Sequence, residues 1–181
     1  PNEKQQRFLE CTAKYIAFGG ARGGGKSWAV RTKAILLALG YAGIRLLIVR
    51  RTYQELESNH IRILRPQLAQ VAEYKATTRT FTFLNGSTLE FGYCASDGDM
   101  DRYQGAEYDV IFLDECTQLR EQWMRQFAAC LRGVNDFPKR IYYTCNPGGP
   151  GHSYIKRLFI DRRFEPGENP DDYVFIPARV T

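Results

Sequence analysis

The sequence feature that most restricts the fold of this chain is a run of glycines, GGARGGGKSW, at positions 19–28. It follows a short apolar segment, KYIAF, and leads into WAVRTKAILLAL, where apolar residues recur with helical spacing. Glycine adopts left-handed backbone conformations without steric cost, so the run allows a sharp reversal of the chain. A glycine-rich turn between an apolar strand and a helix is typical of parallel α/β sheets.

The rest of the chain alternates short apolar segments with helical patterns. Strands buried on both faces show nearly continuous apolar runs, so these segments predict a mostly parallel sheet flanked by helices. One segment, RTFTFLNGSTLEFGYCA, breaks the alternation, and its Asn85-Gly86 pair predicts an antiparallel β-hairpin. The predicted strands are 14–18, 44–49, 109–114, 140–145 and 172–177, the helices 27–39, about 53–73, 120–131 and 153–160, and the hairpin 80–84 with 88–93.

Composition narrows the class of protein. With 181 residues, 44% hydrophobic and 25% charged, the chain suits one soluble globular domain, and no apolar run approaches the roughly 20 residues that span a bilayer. The net charge of +5 favours an anionic partner. We expect a piece of a longer polypeptide, because the chain begins at Pro1 and stops in a strand-like run. The dispersed cysteines predict reduced, partly buried thiols in a cytosolic protein: Cys11, Cys94, Cys116, Cys130 and Cys145.

Residues 20–27, GARGGGKS, fit the pattern GxxxxGK[ST] of a phosphate-binding loop, or P-loop. Backbone N–H groups of such a loop surround phosphates, and the helix that follows adds the positive end of its dipole. Lys26 would reach the β- and γ-phosphates, and the Ser27 hydroxyl would bind Mg²⁺. The predicted nucleotide-binding residues of the loop are Gly20, Ala21, Arg22, Gly23, Gly24, Gly25, Lys26 and Ser27.

Polar side chains follow two other predicted strands. In DVIFLDE, Asp114 would hold Mg²⁺ through water and Glu115 would act as general base on the attacking water, a pair that favours ATP hydrolysis. In RIYYTCNPGGPGH, Asn146 is predicted at the carboxyl edge of the sheet, where it would contact the γ-phosphate or the water and report hydrolysis to the loop 147–151. The alternative interpretations are a helix N-cap for the acidic pair and a turn-initiating asparagine.

These motifs together resemble the ATPase domain of the large terminase subunit, the motor that packages DNA into capsids of tailed phages and herpesviruses. The resemblance covers essentially the whole chain and looks like the phage branch. An arginine inside the glycine-rich loop and TCNPGGPGH downstream are its specific parts, since many ATPases share the P-loop and the Asp-Glu pair. The resemblance implies an α/β P-loop ATPase of the additional-strand, catalytic-glutamate (ASCE) class over residues 1–181. The family's lid and nuclease domain are expected outside this chain.

The resemblance also implies roles for individual residues. Gln5 matches the family's adenine-reading glutamine, with Gln6 as an equally placed alternative. Arg22 matches an arginine near the γ-phosphate, and Arg102 lies where terminases carry an arginine proposed to reach a neighbouring subunit's site. An arginine finger accelerates phosphoryl transfer by factors of about 10³–10⁵, and the choice between these two arginines stays open.

The implied function is hydrolysis of Mg·ATP, with ATP and Mg²⁺ as cofactors, driving translocation of double-stranded viral DNA into a procapsid. The implied partners are DNA, further copies of the chain in a ring (a pentamer in the family), the portal protein and the small terminase subunit, in the host cytoplasm at the portal and without a membrane. The alternatives are a helicase-like translocase and a non-catalytic ATP-binding scaffold. We predict that DGDMD (97–101) is a solvated loop. The densest candidates for contacts to DNA phosphates are Lys156, Arg157, Arg162 and Arg163.

Overall fold

The structure is a computed structural model that describes residues 1–20, 22 and 25–178. Three predicted loop residues, Ala21, Gly23 and Gly24, therefore lie outside the described residues. Within these ranges eight strands form one sheet with the order β3-β4-β5-β2-β6-β7-β1-β8. The strands are β1 Tyr15–Gly20, β2 Arg45–Arg50, β3 Ala72–Lys75, β4 Thr80–Phe83, β5 Thr88–Tyr93, β6 Val110–Leu113, β7 Arg140–Cys145 and β8 Tyr173–Ala178.

Most of the sheet is parallel. Each neighbouring pair from β5 through β2, β6, β7 and β1 to β8 is parallel, while β4 pairs antiparallel with β5 and β3 pairs antiparallel with β4. The five predicted parallel strands and the predicted hairpin are thereby confirmed. Strand β7, which lies between β1 and β6, is the additional strand of the predicted fold class. The carboxyl ends of β1, β2, β6 and β7 consequently meet at one edge of the sheet.

The helices cover both faces of the sheet. A π turn, Glu57–Ile61, joins two helical segments, and a second, Lys156–Ile160, continues the last helix. In the described part of the chain, three 3₁₀ helices lie at Asp97–Tyr103, Cys116–Gln118 and Pro170–Asp172. The α-helices are α1 Glu3–Glu10, α2 Lys26–Gly40, α3 Tyr53–Leu56, α4 Arg62–Leu68, α5 Glu121–Ala129 and α6 His152–Ile155.

Two sequence predictions are wrong in their details. The predicted helix 53–73 ends at Leu68, because the chain then turns to form β3, whose Tyr74 ring packs 4.6 Å from the ring of Phe81 on β4. The predicted solvated loop at 97–101 is the 3₁₀ helix Asp97–Tyr103, which buries Met100 and Tyr103. Its acidic side chains have structural partners, since Ser96 and Asp99 form a capping box.

The core has two halves, one on each face of the sheet. Alternate residues of β2 show this arrangement: Leu46 and Ile48 pack with α2, whereas Leu47 and Val49 pack with α5. This two-sided burial explains the nearly continuous apolar runs of the sequence. The cysteines are free thiols, Cys11 half-buried and Cys94, Cys116, Cys130 and Cys145 buried.

No helix among the described residues combines the length and the apolar composition needed to cross a membrane.

Candidate nucleotide-binding site

A cleft of about 370 Å³ lies at the carboxyl edge of the sheet. Strand β1 leads into the glycine run, β6 ends directly before the Asp-Glu pair, and β7 ends directly before Asn146. The first turn of α2 lines the cleft as well. The described residues that line it are Gly25, Lys26, Ser27, Trp28, Arg31, Glu115 and Asn146.

The N-terminus of α2 is open toward an anion. Gly20 and Gly25 have φ angles of 129° and 70°, which L side chains rarely adopt, so both ends of the run require glycine. Gly25 is the N-cap and supplies no side-chain hydrogen bond to the helix. The cap residue of this 15-residue helix therefore has no side chain that could compete with an anion for the N–H groups of the first turn.

Positive charge dominates around the cleft. Lys26 is 7% exposed, and burial lowers the pKa of its ammonium, with Cys145, Asp114 and Glu115 opposing this effect. Burial also lowers the pKa of Arg31, whose guanidinium donates a hydrogen bond to the carbonyl of Asn59. Among the described residues, Lys26, Arg31 and the buried Arg50 thus lie near only two carboxylates, Asp114 and Glu115. This excess of positive charge suits a polyanionic ligand.

Asp114 is the most constrained acid of the site. Its side chain is 1% exposed and accepts hydrogen bonds from the hydroxyls of Ser27 (3.0 Å) and Thr144, while His60 Nε2 lies 2.7 Å from Oδ2. Arg50 Nε lies 3.6 Å from the same oxygen. Burial alone would raise the pKa of this carboxyl, but His60, Arg50 and Thr144 together lower it below its ordinary value. Asp114 is therefore a carboxylate at neutral pH.

The pair Ser27 and Asp114 fits a magnesium ion. A hydroxyl and a carboxylate are hard oxygen ligands, and a site with so few protein ligands leaves positions for water and phosphate oxygens, as Mg²⁺ prefers. Among the described residues no group of three His, Cys, Asp or Glu side chains has an arrangement that could hold a metal by itself. The fold does bring the two predicted Mg²⁺-binding side chains together, since Ser27 Oγ lies 3.0 Å from Asp114 Oδ2.

Glu115 lies at the rim of the cleft in a left-handed conformation, with φ of 51°. Its backbone N–H donates to the Thr144 hydroxyl at 2.8 Å, which fixes the turn after β6. Its carboxylate is 40% exposed and forms an ion pair of 2.9 Å with Nη1 of Arg50. The structure thus places the predicted general base at the cleft and shows which cation holds it there.

Asn146 connects the cleft to the loop that follows β7. Its backbone carbonyl accepts a hydrogen bond from Thr117 Oγ1 at 3.1 Å. Its Oδ1 atom is buried and has no hydrogen-bond partner within the part of the chain that the structure describes. Asn146 also lines a separate cavity of about 70 Å³ together with Pro147 and Ile155. The side chain therefore lies between the cleft and the predicted coupling loop.

The loop 147–151 packs directly on the turn after Glu115. Gly151 N–H donates to the Thr117 carbonyl at 2.9 Å. A Cβ atom at Gly149 would lie 2.2 Å from the same carbonyl oxygen, whereas one at Gly148 would meet no atom within 4 Å. Both glycines have positive φ, 94° and 87°, so the backbone strain of a side chain is similar at the two positions.

This pair of glycines allows a matched test. Gly148→Ala should cost about 1 kcal/mol in the free energy of unfolding, from backbone strain alone. Gly149→Ala should cost about 2 kcal/mol more, because its methyl group would push the loop away from Thr117. Urea denaturation of the two variants measures the difference. Equal losses would contradict the close packing of this loop.

The remaining predicted residues lie at different distances from the cleft. Gln5 Nε2 donates to the Gly25 carbonyl at 3.4 Å and Oε1 accepts from the N–H of Asn2, whereas Gln6 is exposed and bonds to Glu10. Gln5 is thus the glutamine beside the glycine run. Arg22 is exposed in a turn of that run.

Arg102 is not among the residues that line the cleft. Its guanidinium lies 4.0 Å from the centre of the Tyr93 ring and pairs with Asp99 at 3.3 Å. In the basic cluster, three members have local partners: Lys156 pairs with Asp161, Arg157 pairs with Glu168, and Arg162 donates to backbone carbonyls.

Sequence reasoning missed Arg50, His60 and Thr144, which surround the acidic pair. Arg50 carried a readable signal, since a charged residue at the carboxyl end of a buried parallel strand lies where ligands bind. His60 carried none, because it is distant in sequence and reaches Asp114 from the π turn.

The fold is that of the additional-strand class of P-loop NTPases. Residues 17–181 match the model of a family described as terminase large subunit, T4likevirus-type, N-terminal. This chain therefore belongs to the terminase large subunit family.

Solved structures of phage terminases share the fold. The large terminase of a thermophilic bacteriophage in complex with ADP superposes with a TM-score of 0.76 at 19% identity, covering 97% of this chain and 44% of that one. The large terminase ATPase domain of Thermus phage P74-26 gives 0.63 at 14% identity, covering 98% and 80%. The N-terminal domain of the DNA packaging ATPase of bacteriophage phi29 gives 0.61 at 16% identity, covering 95% and 94%. No curated protein matches the chain, and the chain spans less than half of the first of these terminases.

Proposed function

We propose that this chain is a Mg²⁺-dependent ATPase domain whose hydrolysis of ATP drives translocation of double-stranded viral DNA into a procapsid. The observation that carries the proposal is the convergence of Lys26, Ser27, Glu115 and Asn146 on one cleft, with Asp114 bonded to Ser27 behind it. Family membership supports the same function, and one phage relative has been solved with ADP and with ATP-gamma-S.

The first turn of α2, which lines the cleft, would bind the triphosphate. The N–H groups of its first turn and the Lys26 ammonium would hold the β- and γ-phosphates, and Ser27 with Asp114 would hold Mg²⁺. When bound, the metal ion neutralises charge on the phosphate oxygens. Gln5, beside Gly25, would contact the adenine edge.

Catalysis consists mainly of positioning and charge stabilisation, because in-line attack of water on the γ-phosphate needs little covalent help. Glu115 would accept the proton of the attacking water through its Oε1 atom, because Oε2 forms the ion pair with Arg50. Asn146 would donate from Nδ2 to the γ-phosphate, or accept from the attacking water through Oδ1, which is buried and has no hydrogen-bond partner among the described residues.

Two residues are candidates for the arginine finger, Arg22 and Arg102. Arg22 is exposed within the glycine run and would act on the nucleotide of its own subunit. Arg102 is not among the described residues that line the cleft, so any catalytic role for it would be in a neighbouring subunit. That role would need a ring of identical subunits, which we propose as a pentamer by family resemblance, with the portal protein and the small terminase subunit as partners.

The proposal extends to the place and the organisation of the protein. Residues 1–181 would form the ATPase domain of a longer chain, which acts in the host cytoplasm at the procapsid portal. The lid and the nuclease domain of the family would lie outside these residues. A helicase-like translocase and a non-catalytic scaffold remain the alternatives.

One experiment distinguishes these functions. Phosphate release from ATP is measured with Mg²⁺ or with EDTA, with double- or single-stranded DNA, over a hundredfold range of protein concentration. We expect activity that requires Mg²⁺, rises with double-stranded DNA of any sequence, and increases faster than linearly with protein concentration. Arg102→Ala should remove the faster-than-linear rise, while the exposed control Arg62→Ala should not.

Three contrary results would each contradict a different part of the proposal. Nucleotide binding without hydrolysis under all these conditions would favour the scaffold. Stimulation by single-stranded DNA alone would favour the helicase-like translocase. Strictly linear activity down to dilute protein would contradict a role for Arg102 in a neighbouring subunit.

A further inference from the structure

We propose that Trp28 stacks on the base of the bound nucleotide and is the main contact that this site makes with the nucleoside part. The inference rests on the proposed function, because it takes the cleft to be the nucleotide site. Neither the sequence motif nor the family resemblance assigns a role to this residue.

Trp28 lies where the nucleoside must lie. The phosphates are fixed at the N-terminus of α2, so the ribose and the base extend from there along the rim of the cleft. Trp28 follows Ser27 in the first turn of the helix, and its position is rotated by about 100° from that of Ser27 around the helix axis. Its side chain lines the cleft together with Lys26 and Ser27. One helical turn thus presents phosphate-binding groups and an aromatic surface side by side.

The exposure of Trp28 is unusual for its surroundings. Trp28 as a whole residue is 38% exposed, and the other described side chains that line the cleft are polar: Lys26, Ser27, Arg31, Glu115 and Asn146. An exposed aromatic surface in a polar cleft gains free energy when a planar ring covers it. A nucleobase supplies such a ring, and base stacking tolerates any of the four bases.

The second tryptophan of the chain, Trp123, has a structural role and serves as a comparison for Trp28. Trp123 is 5% exposed, packs in the core, and donates from Nε1 to Asp97 at 2.7 Å. Trp28 Nε1 makes no such bond to the described residues. The two tryptophans therefore differ in burial and in hydrogen bonding, and only Trp28 has a face available to a ligand.

Gln5 complements this geometry. Its amide contacts Gly25, three residues before Trp28, so a polar group and an aromatic face lie at the same helix terminus. Stacking by Trp28 would supply affinity for any base, and the Gln5 amide would supply the preference for adenine. This division predicts that the two residues change different properties.

The experiment uses intrinsic fluorescence and calorimetry on wild-type protein and on Trp28→Ala and Trp28→Phe. Mg·ATP and Mg·GTP should quench the tryptophan emission of the wild type, and Trp28→Phe, which retains Trp123, should show no quenching. Trp28→Ala should weaken binding of Mg·ATP and Mg·GTP about tenfold each, which corresponds to about 1.4 kcal/mol. Trp28→Phe should recover most of that affinity.

Inorganic tripolyphosphate separates this inference from the proposed function. It carries the phosphates without a base, so its affinity should be the same in the wild type and in Trp28→Ala. Equal affinities of the two proteins for Mg·ATP would overturn the role of Trp28 and leave the nucleotide site standing. Absence of binding of both Mg·ATP and tripolyphosphate to the wild type would instead overturn the nucleotide site itself. Quenching by double-stranded DNA but not by nucleotide would assign Trp28 to DNA and overturn the inference.

Discussion

Replacing Glu115 by glutamine is expected to reduce ATP turnover at least a hundredfold while the affinity for Mg·ATP changes by less than about threefold. A general base contributes about 10²–10⁴ to the rate, and the amide keeps the shape of the side chain but cannot accept the proton. The carboxylate is at the rim of the cleft and is held by Arg50 at 2.9 Å. Phosphate release and nucleotide calorimetry measure the two quantities separately.

The control for this variant is Glu73→Gln, an exposed acid on β3 that should change neither quantity. Loss of the Arg50 ion pair should have a small effect on folding, since the Glu115 side chain is 40% exposed and is screened by water. A turnover above one tenth of the wild-type value would exclude Glu115 as the general base. A loss of nucleotide affinity as large as the loss of turnover would show that the variant disturbs the site rather than the chemistry.

Replacing Asp114 by asparagine is expected to lower the free energy of unfolding by about 3 kcal/mol. The carboxylate is 1% exposed and accepts from Ser27 and Thr144, with His60 and Arg50 beside it. An asparagine amide directs N–H groups at one set of these donors and leaves the Arg50 charge poorly compensated, and such losses cost about 3–5 kcal/mol. Urea denaturation without nucleotide or metal measures the change independently of catalysis.

The effect should also depend on pH in a defined direction. Because the pKa of Asp114 is lowered in the folded state, its contribution is complete above the ordinary carboxyl pKa of about 4 and is lost as the pH falls below it. The difference between the wild type and Asp114→Asn should therefore shrink from pH 6 to pH 3. The exposed control Asp101→Asn should lie within about 0.5 kcal/mol of the wild type throughout. A similar small change for Asp114→Asn would contradict the buried network.

The sequence predicted the parts of the fold that depend on local pattern. The parallel strands, the hairpin at Asn85-Gly86 and the helix after the glycine run all follow from apolar periodicity and turn chemistry. Strand β3 escaped prediction because its local signal is weak, whereas the signal of helix α1, an asparagine followed three residues later by a glutamine, was overlooked. Helix α1 depends on the capping box of Asn2 and Gln5, and β3 depends on its pairing with β4.

The residues of the site likewise include some that a local motif predicts and others that only the folded structure brings together. The residues of the glycine run and the two strand ends are contiguous motifs, so Lys26, Ser27, Asp114 and Glu115 were predicted from sequence alone. The groups that orient them come from other elements and meet them only after folding. His60 comes from the π turn, and a tertiary contact of this kind leaves no spacing to read, whereas Arg50 could have been inferred from its place at the carboxyl end of β2.

The π turn at Glu57–Ile61 has a consequence for the natural variation of this family. In that turn the N–H of Arg62 bonds to the carbonyl of Glu57, five residues back, so the turn holds one residue more than an α-helix would. It is equivalent to a one-residue insertion. Loss of that residue would leave a regular helix but rotate one side of it by about 100° relative to the other. Homologues with and without the insertion should therefore differ in whether a histidine from this helix reaches the aspartate, even where every motif of the site is unchanged.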